Sequence, residues 1–236
     1  MYNRQELPSE KIQNIISEAS DISFLAEGGQ KFVYTCSIDE QKYVIKLIPL
    51  YEEFGDDVKN TILRRVEREI KIMETIESPF FIKTGPIEPN IAIIDGHEYY
   101  YYSEVFIEGK DLKEIISKRS LTVEETVKLG IEISSVIQAL WELQYIHRDI
   151  KPNNIMLADD GRFVLLDAGV AFDLNDVSLT VGHQQPGTKI YMSPEQLAQS
   201  GREIDFRSDL FSLGTVLYEG LTRQHPFVDY TSVTVK

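Results

Sequence analysis

Cysteine is almost missing from this chain: Cys36 stands alone among 236 residues. A single thiol excludes an intrachain disulfide framework and points to a reducing compartment. Cys36 lies in an apparent strand and reads as inert packing, not as a nucleophile. Basic residues are also in deficit, with 24 Lys and Arg against 38 Asp and Glu, a formal charge of −14 and a pI near 4.8. That balance argues against nucleic acid or an anionic membrane as the main partner, because both reward cations. No apolar run reaches the ~18–20 residues a membrane span needs. The start, Met1-Tyr2-Asn3-Arg4-Gln5, lacks the apolar segment of a secretory signal. The chain therefore reads as cytoplasmic. It shows no internal repeat and no low-complexity tract.

What is present is enough chain to bury a substantial core, in one large domain or two lobes. Residues 8–20 have helical spacing, with Ile12, Ile15, Ile16 and Ala19 on one face and Ser9 as N-cap. Residues 24–47 alternate like strands and are broken at Glu27-Gly28-Gly29-Gln30 and at Asp39-Glu40-Gln41, which predicts three antiparallel strands. Residues 57–77 return to helical spacing through Ile62, Val66, Ile70 and Met73, and Ser78-Pro79 ends the helix. Two more strands are expected near 87–94 and 97–106. The turn Glu108-Gly109-Lys110-Asp111 marks the change from strand-rich to helix-rich sequence. Beyond it come helices over 112–117 and 123–143, a hairpin of 155–157 with 163–165, and a helix over 209–221 with Leu210, Leu213, Val216 and Leu217 as a central pillar. The class is α+β, divided into a helical segment at 1–20, a lobe at 21–107 and a lobe at 108–236.

The densest chemistry lies in His147-Arg148-Asp149-Ile150-Lys151-Pro152-Asn153-Asn154. Asp149 can accept the proton of a hydroxyl nucleophile, Lys151 can neutralise charge on a moving phosphate, and Asn154 offers an amide oxygen to Mg²⁺. Asp167, in Leu165-Leu166-Asp167-Ala168-Gly169, adds the carboxylate that a bare amide cannot supply. Together these residues resemble the eukaryotic-type Ser/Thr protein kinase family. The resemblance runs in order from about residue 24 to 227, and Ile204-Asp205-Phe206-Arg207-Ser208-Asp209-Leu210 looks most like its bacterial members.

The resemblance implies a bilobal fold with a five-stranded antiparallel sheet and one main helix in the first lobe, ATP as the phosphoryl donor, and Mg²⁺ or Mn²⁺ as cofactor. Counting back from Val33 puts the family's three loop glycines at Ala26, Gly28 and Lys31, so only Gly28 matches, with Gly29 beside it. Lys46 takes the place of the strand lysine that neutralises the α- and β-phosphates. Glu69 is its expected anionic partner, and Glu67 is the rival. Val33, Val44 and Met156 would touch the purine, which would hydrogen-bond backbone across Glu104, Val105 and Ile107. Glu104 would guard the back pocket, unless one inserted residue gives that place to Ser103.

Asp-Ala-Gly at 167–169 departs from the family's Asp-Phe-Gly. The missing ring removes a spacer between Met73 and His147. Gly187-Thr188-Lys189-Ile190-Tyr191-Met192-Ser193-Pro194-Glu195 resembles the peptide-binding segment, where Thr188 would bond Asp149 and Lys151, and Glu195 would anchor the segment. Asp209 would cap backbone amides of the Asp149 loop, which makes His147 a packed structural residue. Ser178 and Thr180 are the candidate phosphorylation sites.

These implications favour a kinase acting on serine and threonine of protein substrates. The alternatives are a nucleotide-binding pseudokinase or regulatory module, and a small-molecule kinase of related fold. The family continues with three further helices, one bearing an arginine that pairs with the Glu195 counterpart. None follows here before Lys236. The expectation is therefore a second lobe that stops after its central helix, an unpaired Glu195 and an exposed face on that helix, with a homodimer or partner covering it or a missing extension of a longer protein favoured over a repacked, self-sufficient lobe.

Overall fold

The computed structural model describes residues 6–28, 31–51, 54–167, 172–173, 188–198 and 204–228. The chain divides into two compact units, 1–70 with 83–106 and 71–82 with 107–236.

The first unit is built on an antiparallel five-stranded sheet of order β1-β2-β3-β5-β4. Its strands are β1 (Ser20–Gly28), β2 (Lys31–Ile38), β3 (Gln41–Leu50), β4 (Asn90–Ile94) and β5 (His97–Val105). Two tight turns fix the registers. Asp39 and Glu40 both adopt positive φ between β2 and β3, and Asp95-Gly96 does the same between β4 and β5. Paired positive-φ residues give the turn whose twist matches that of the strands it joins. Strand alternation then sorts the side chains. Tyr34, Cys36, Ile45, Leu47, Tyr99 and Tyr101 enter one buried cluster, while Val33, Val44 and Lys46 point to the opposite face.

The buried cluster is completed from outside the sheet. Helix α1 (Ser9–Gln13) and the turns after it place Leu7, Ile12, Ile16 and Ala19 in the same core, and Tyr34 Oη both accepts from Leu7 N and donates to Leu7 O, each at 2.9 Å. The expected helix over 8–20 is thus cut to five residues, and its N-cap is Pro8, not Ser9. Asn14 and Ser17 favour turns over helix, and the Gln13 side chain takes up the carbonyls of Ile16 and Ser17 that a continuing helix would use. Cys36 is buried, and burial pushes its thiol up to about 11, in keeping with inert packing.

Helix α2 (Gly55–Thr75) begins in the first unit and ends in the second. The second unit continues with β6 (Gly109–Asp111), α3 (Leu112–Lys118), α4 (Val123–Glu142), β7 (Tyr145–Ile146), β8 (Ile155–Ala158), β9 (Phe163–Leu165), β10 (Phe172–Asp173), α5 (Pro194–Ala198) and α6 (Phe206–Thr222). Thr122 and Glu125 form a capping box at the start of α4, where Arg119 holds the Glu125 carboxyl down at about 2. The expected hairpin is β8 with β9, but β6 adds a third strand that sequence reading treated as a turn. Gly109 permits that strand, since a Cβ there would lie 2.2 Å from the Leu157 carbonyl oxygen. Helix α6 starts three residues before Asp209, and Asp205 is its N-cap through Arg207 N. Leu213 and Val216 are buried as a pillar requires, whereas Leu210 faces solvent. Among the described residues no helix is long and apolar enough to cross a membrane.

Candidate functional site

In the second unit the chain leaves β7, runs through residues 147–151 without regular structure, makes a 3₁₀ turn at Pro152–Asn154 and enters β8. Asp209 on α6 holds this loop. Its Oδ2 accepts from His147 N and its Oδ1 from Arg148 N, both at 2.8 Å, and the residue is 1% exposed. Burial pushes the Asp209 carboxyl up, against the pull of His147 and the two amides. Arg148 adopts φ of 68°, a left-handed conformation that costs an L residue about 1–2 kcal/mol. The anchored amides offset that strain.

His147 is fully buried and acts as a spacer. Its Nδ1 accepts from Asp149 N at 3.4 Å, so the proton resides on Nε2 and points at the Leu166 carbonyl, 3.2 Å away. Asp149 then presents an asymmetric carboxylate. Lys151 Nζ (2.8 Å) and Asn154 Nδ2 (2.9 Å) both donate to Oδ2, and the same Nδ2 reaches the Asp149 carbonyl. Oδ1 is buried and has no hydrogen-bond partner among the described residues. A carboxylate with one oxygen held and the other open is oriented to take a proton from a hydroxyl. Because the Asn154 amide nitrogen is engaged, its oxygen is left for a hard cation. Asp167 follows β9 with φ of 62°, and the Leu166 amide donates to the Asn154 carbonyl at 2.8 Å, which ties the two segments together.

The first unit carries a separate charged cluster. Lys46 on β3 lies 3.3 Å from Glu69 Oε1 and forms a direct ion pair with Glu104 on β5, and Lys31 reaches Glu69 at 3.6 Å. The Tyr102 ring lies below the same ammonium, 5.7 Å from centroid to Nζ. Glu69 is buried against Lys46, whereas Glu67, the rival, is exposed. Strand register puts Glu104 and Ser103 on opposite faces. Val44 pairs with Glu104 and Lys46 with Tyr102, so Glu104 shares the Lys46 face. Ser103 points the other way, accepting from Ile87 N at 2.8 Å in a space kept open by Gly85, whose Cβ would meet Ser103 Oγ at 2.5 Å. Val33 also pairs with Lys46, placing Val33 and Val44 beside it. Ala26 and Gly28 pair with Val33 and Lys31 across the β1–β2 turn. The backbone amides of Val105 and Phe106 are engaged by the Lys83 and Lys42 carbonyls, while Met156 is half-buried on β8.

Glu195 overturns an expectation. It is half-buried and accepts a hydrogen bond from Ser208 Oγ at 2.5 Å. Burial raises its carboxyl, but the Ser208 and Ser193 bonds outweigh this and leave it below the usual range. The carboxylate is satisfied by hydroxyls where an unpaired charge was expected. Also unforeseen were Glu219, buried and bonded to Tyr191 Oη and Lys113 Nζ, and Gln196, which donates to the Arg148 carbonyl. Gly29, the Thr188 side chain, Ser178 and Thr180 lie outside the described residues, as does Ala168. An apolar groove of about 600 Å³ between α4 and α6, lined by Val127, Gly130, Ile131 and Leu217, has no titratable group in its wall and is not a candidate for this chemistry.

Two charged clusters, one around a strand lysine and one around a loop aspartate, on a sheet-based unit followed by a helical one, define a protein kinase domain. The protein kinase domain family model matches residues 20–235, and the chain belongs to that family. It is 37% identical over 174 residues to the "Probable serine/threonine-protein kinase SCO3848" of Streptomyces coelicolor, covering 72% of this chain and 25% of that protein. It is 29% identical to serine/threonine-protein kinase PrkC of Bacillus subtilis, over 88% of this chain and 31% of PrkC. With PknA of Corynebacterium glutamicum the identity is 27%, over 96% and 48% respectively. The chain thus spans between a quarter and a half of the length of these relatives.

Proposed function

We propose that the chain is an ATP-dependent kinase that phosphorylates serine and threonine hydroxyls of proteins. The observation that carries the reading is the Asp149 carboxylate, with Oδ2 fixed by Lys151 and Asn154 and Oδ1 open among the described residues. In the proposed reaction a substrate hydroxyl gives its proton to Asp149 Oδ1 while its oxygen bonds to the γ-phosphorus. The bond from that phosphorus to the β–γ bridging oxygen breaks and ADP leaves. Lys151, beside Asp149, offsets charge on the phosphoryl group in transit, and Lys46 serves the α- and β-phosphates.

Asn154 and Asp167 supply hard oxygen donors of the kind Mg²⁺ or Mn²⁺ takes, and they would hold it. When bound, the cation supplies charge neutralisation at the phosphates. The cytoplasm is the proposed compartment. Partners in this reading are protein substrates and, over the exposed α6 residues Leu210, Tyr218 and Leu221, a second copy or another protein; sedimentation over a concentration series tests that cover.

The second reading is a nucleotide-binding pseudokinase, favoured by Ala26 and Lys31 at two of the three loop-glycine positions and by Ala168 after Asp167. One experiment separates the two. The chain is incubated with radiolabelled ATP, Mg²⁺ and a generic acceptor protein, alongside Asp149→Asn. Label on serine or threonine with the natural chain alone supports the kinase, and nucleotide binding without transfer supports the pseudokinase.

A further inference from the structure

Three hydrogen-bonded ties close a ring beside Asp149. On α6, Asp209 accepts from the His147 and Arg148 amides, and its neighbour Ser208 donates to Glu195 on α5. The third side runs from α5 back to the loop, where Gln196 Nε2 donates to the Arg148 carbonyl at 3.2 Å. The same side-chain amide also serves its own helix. Its Oε1 accepts from Ser193 N at 3.0 Å and from Ser193 Oγ at 3.2 Å, while Ser193 Oγ accepts from Gln196 N at 3.4 Å. Ser193-Pro194-Glu195-Gln196 is thus a capping box at the start of α5. The amide has one orientation here, because Ser193 N can only donate and the Arg148 carbonyl can only accept.

The carbonyl that Gln196 reaches belongs to the planar peptide joining Arg148 to Asp149. The N–H of that peptide donates to His147 Nδ1 at 3.4 Å, so the plane is held at both edges, by the loop itself and by α5. On its other side lies Arg148 at φ of 68°, a conformation that persists only where its surroundings impose it. Turning the plane would swing the Cα–Cβ bond of Asp149 and with it the carboxylate. A capping box needs only an acceptor at the third helical position, which glutamate supplies as well as glutamine. The bond to the loop needs a donor, which glutamate lacks.

We propose that Gln196 is a positioning residue for Asp149, the donor that sets the Arg148–Asp149 peptide plane from α5. The kinetic consequence rests on the kinase reading above; the hold on the loop does not. Alignment of the base then depends on α5 being in place.

The test uses the full chain with Gln196→Glu, which keeps an acceptor for the box and removes the donor, and Gln196→Lys, which keeps a donor and removes the acceptor. Two quantities are read: hydrogen exchange of segments 146–151 and 193–198 by mass spectrometry, and kcat and KM with ATP, Mg²⁺ and an acceptor protein. In Gln196→Glu, exchange over 146–151 should rise ~10-fold with 193–198 unchanged, and kcat should fall ~10-fold with KM for ATP within about 2-fold. In Gln196→Lys the exchange pattern should reverse, and kcat should recover above that of the Glu variant. A purely structural cap predicts the opposite, with activity following protection of 193–198, and that result overturns the proposal. So does unchanged exchange over 146–151 in Gln196→Glu, or a rise in exchange there at unchanged kcat. Should Gln196→Glu fold poorly, Gln196→Met, with neither donor nor acceptor, is read in its place, and natural kcat in that variant would equally overturn the proposal. Absence of phosphoryl transfer in every sample, the natural chain included, would refute the kinase reading, while the exchange rates still decide whether Gln196 holds the loop.

Discussion

Lys46 is held by side chains that stand on two different elements, whereas the loop that carries Asp149 hangs by its backbone from a single carboxylate, Asp209. In the first case a strand lysine meets one carboxylate on a neighbouring strand and one on a helix. In the second the two amides share one carboxylate on α6, Gln196 of α5 takes the Arg148 carbonyl, and the segment is strained at Arg148. The contrast follows from the local backbone. A strand fixes its side chains through ladder bonds it makes anyway, so a charge placed there needs little further help. A loop leaves its amides unsatisfied, and something buried must accept them. The loop is therefore where one substitution should do most damage.

The largest effect is expected at the reacting group. Asp149→Asn should lower turnover by roughly a thousandfold, within the range for removing a general base, while the melting temperature and ATP affinity hardly move. Full turnover at saturating ATP would show that the base has been misassigned. Asp209→Ala should come next and should differ in kind. It strips the buried His147 amide and the half-buried Arg148 amide of their acceptor, at about 1–3 kcal/mol for a fully buried group, so thermal unfolding should come earlier and activity should fall with it. A variant that melts normally would mean that the loop is held elsewhere, and the contrast with Lys46 would disappear.

On the sheet side the effects should be smaller and visible mainly in pH. Burial pushes the Tyr34 hydroxyl up to about 12 from an ordinary 10. Its folded state favours the neutral phenol, so this contribution is complete below pH 10 and is lost as pH rises from about 10 to about 12. Tyr34→Phe should cost about 1 kcal/mol near neutral pH through the lost Leu7 bonds and should flatten the alkaline decline of the melting temperature. A wild-type and a Phe variant with parallel profiles would contradict this. The smallest effect concerns Cys36, where a thiol raised to about 11 in a buried site should react with iodoacetamide at pH 8 only on unfolding. Rapid labelling of the folded chain would mean that the sheet core opens locally.

Much of this was legible in the sequence because strands, helices and a family's motifs each leave a periodic or ordered trace. The five strands, α2, α4 and α6 announced themselves through apolar spacing, and Asp149, Asn154, Lys46 and Glu69 through their order. Three features escaped for physical reasons. β6 is three residues long and contains a glycine chosen for close backbone approach, so it carries no alternation to detect. The pairing of Glu104 with Lys46 depends on the register of β3 against β5, and a single inserted residue would have turned Ser103 to that face. The Glu195 prediction failed because it looked for a cation. Two serine hydroxyls do the same work at a site that is only half-buried, and hydroxyls leave no charge signature in the sequence.

The fourteen residues before the sheet begins to match its family, 6–19, bear on where this domain can be cut. The family model begins at residue 20, yet Ile12, Ile16 and Ala19 sit in the same core as Tyr34 and Leu47. A protein trimmed to the family boundary would expose Tyr34, Cys36 and Ile45 as one oily surface on a twisted sheet, and would leave the Tyr34 hydroxyl without its Leu7 partner. Loss of solubility after such trimming would report on the missing cover and not on any defect on the opposite face of the sheet.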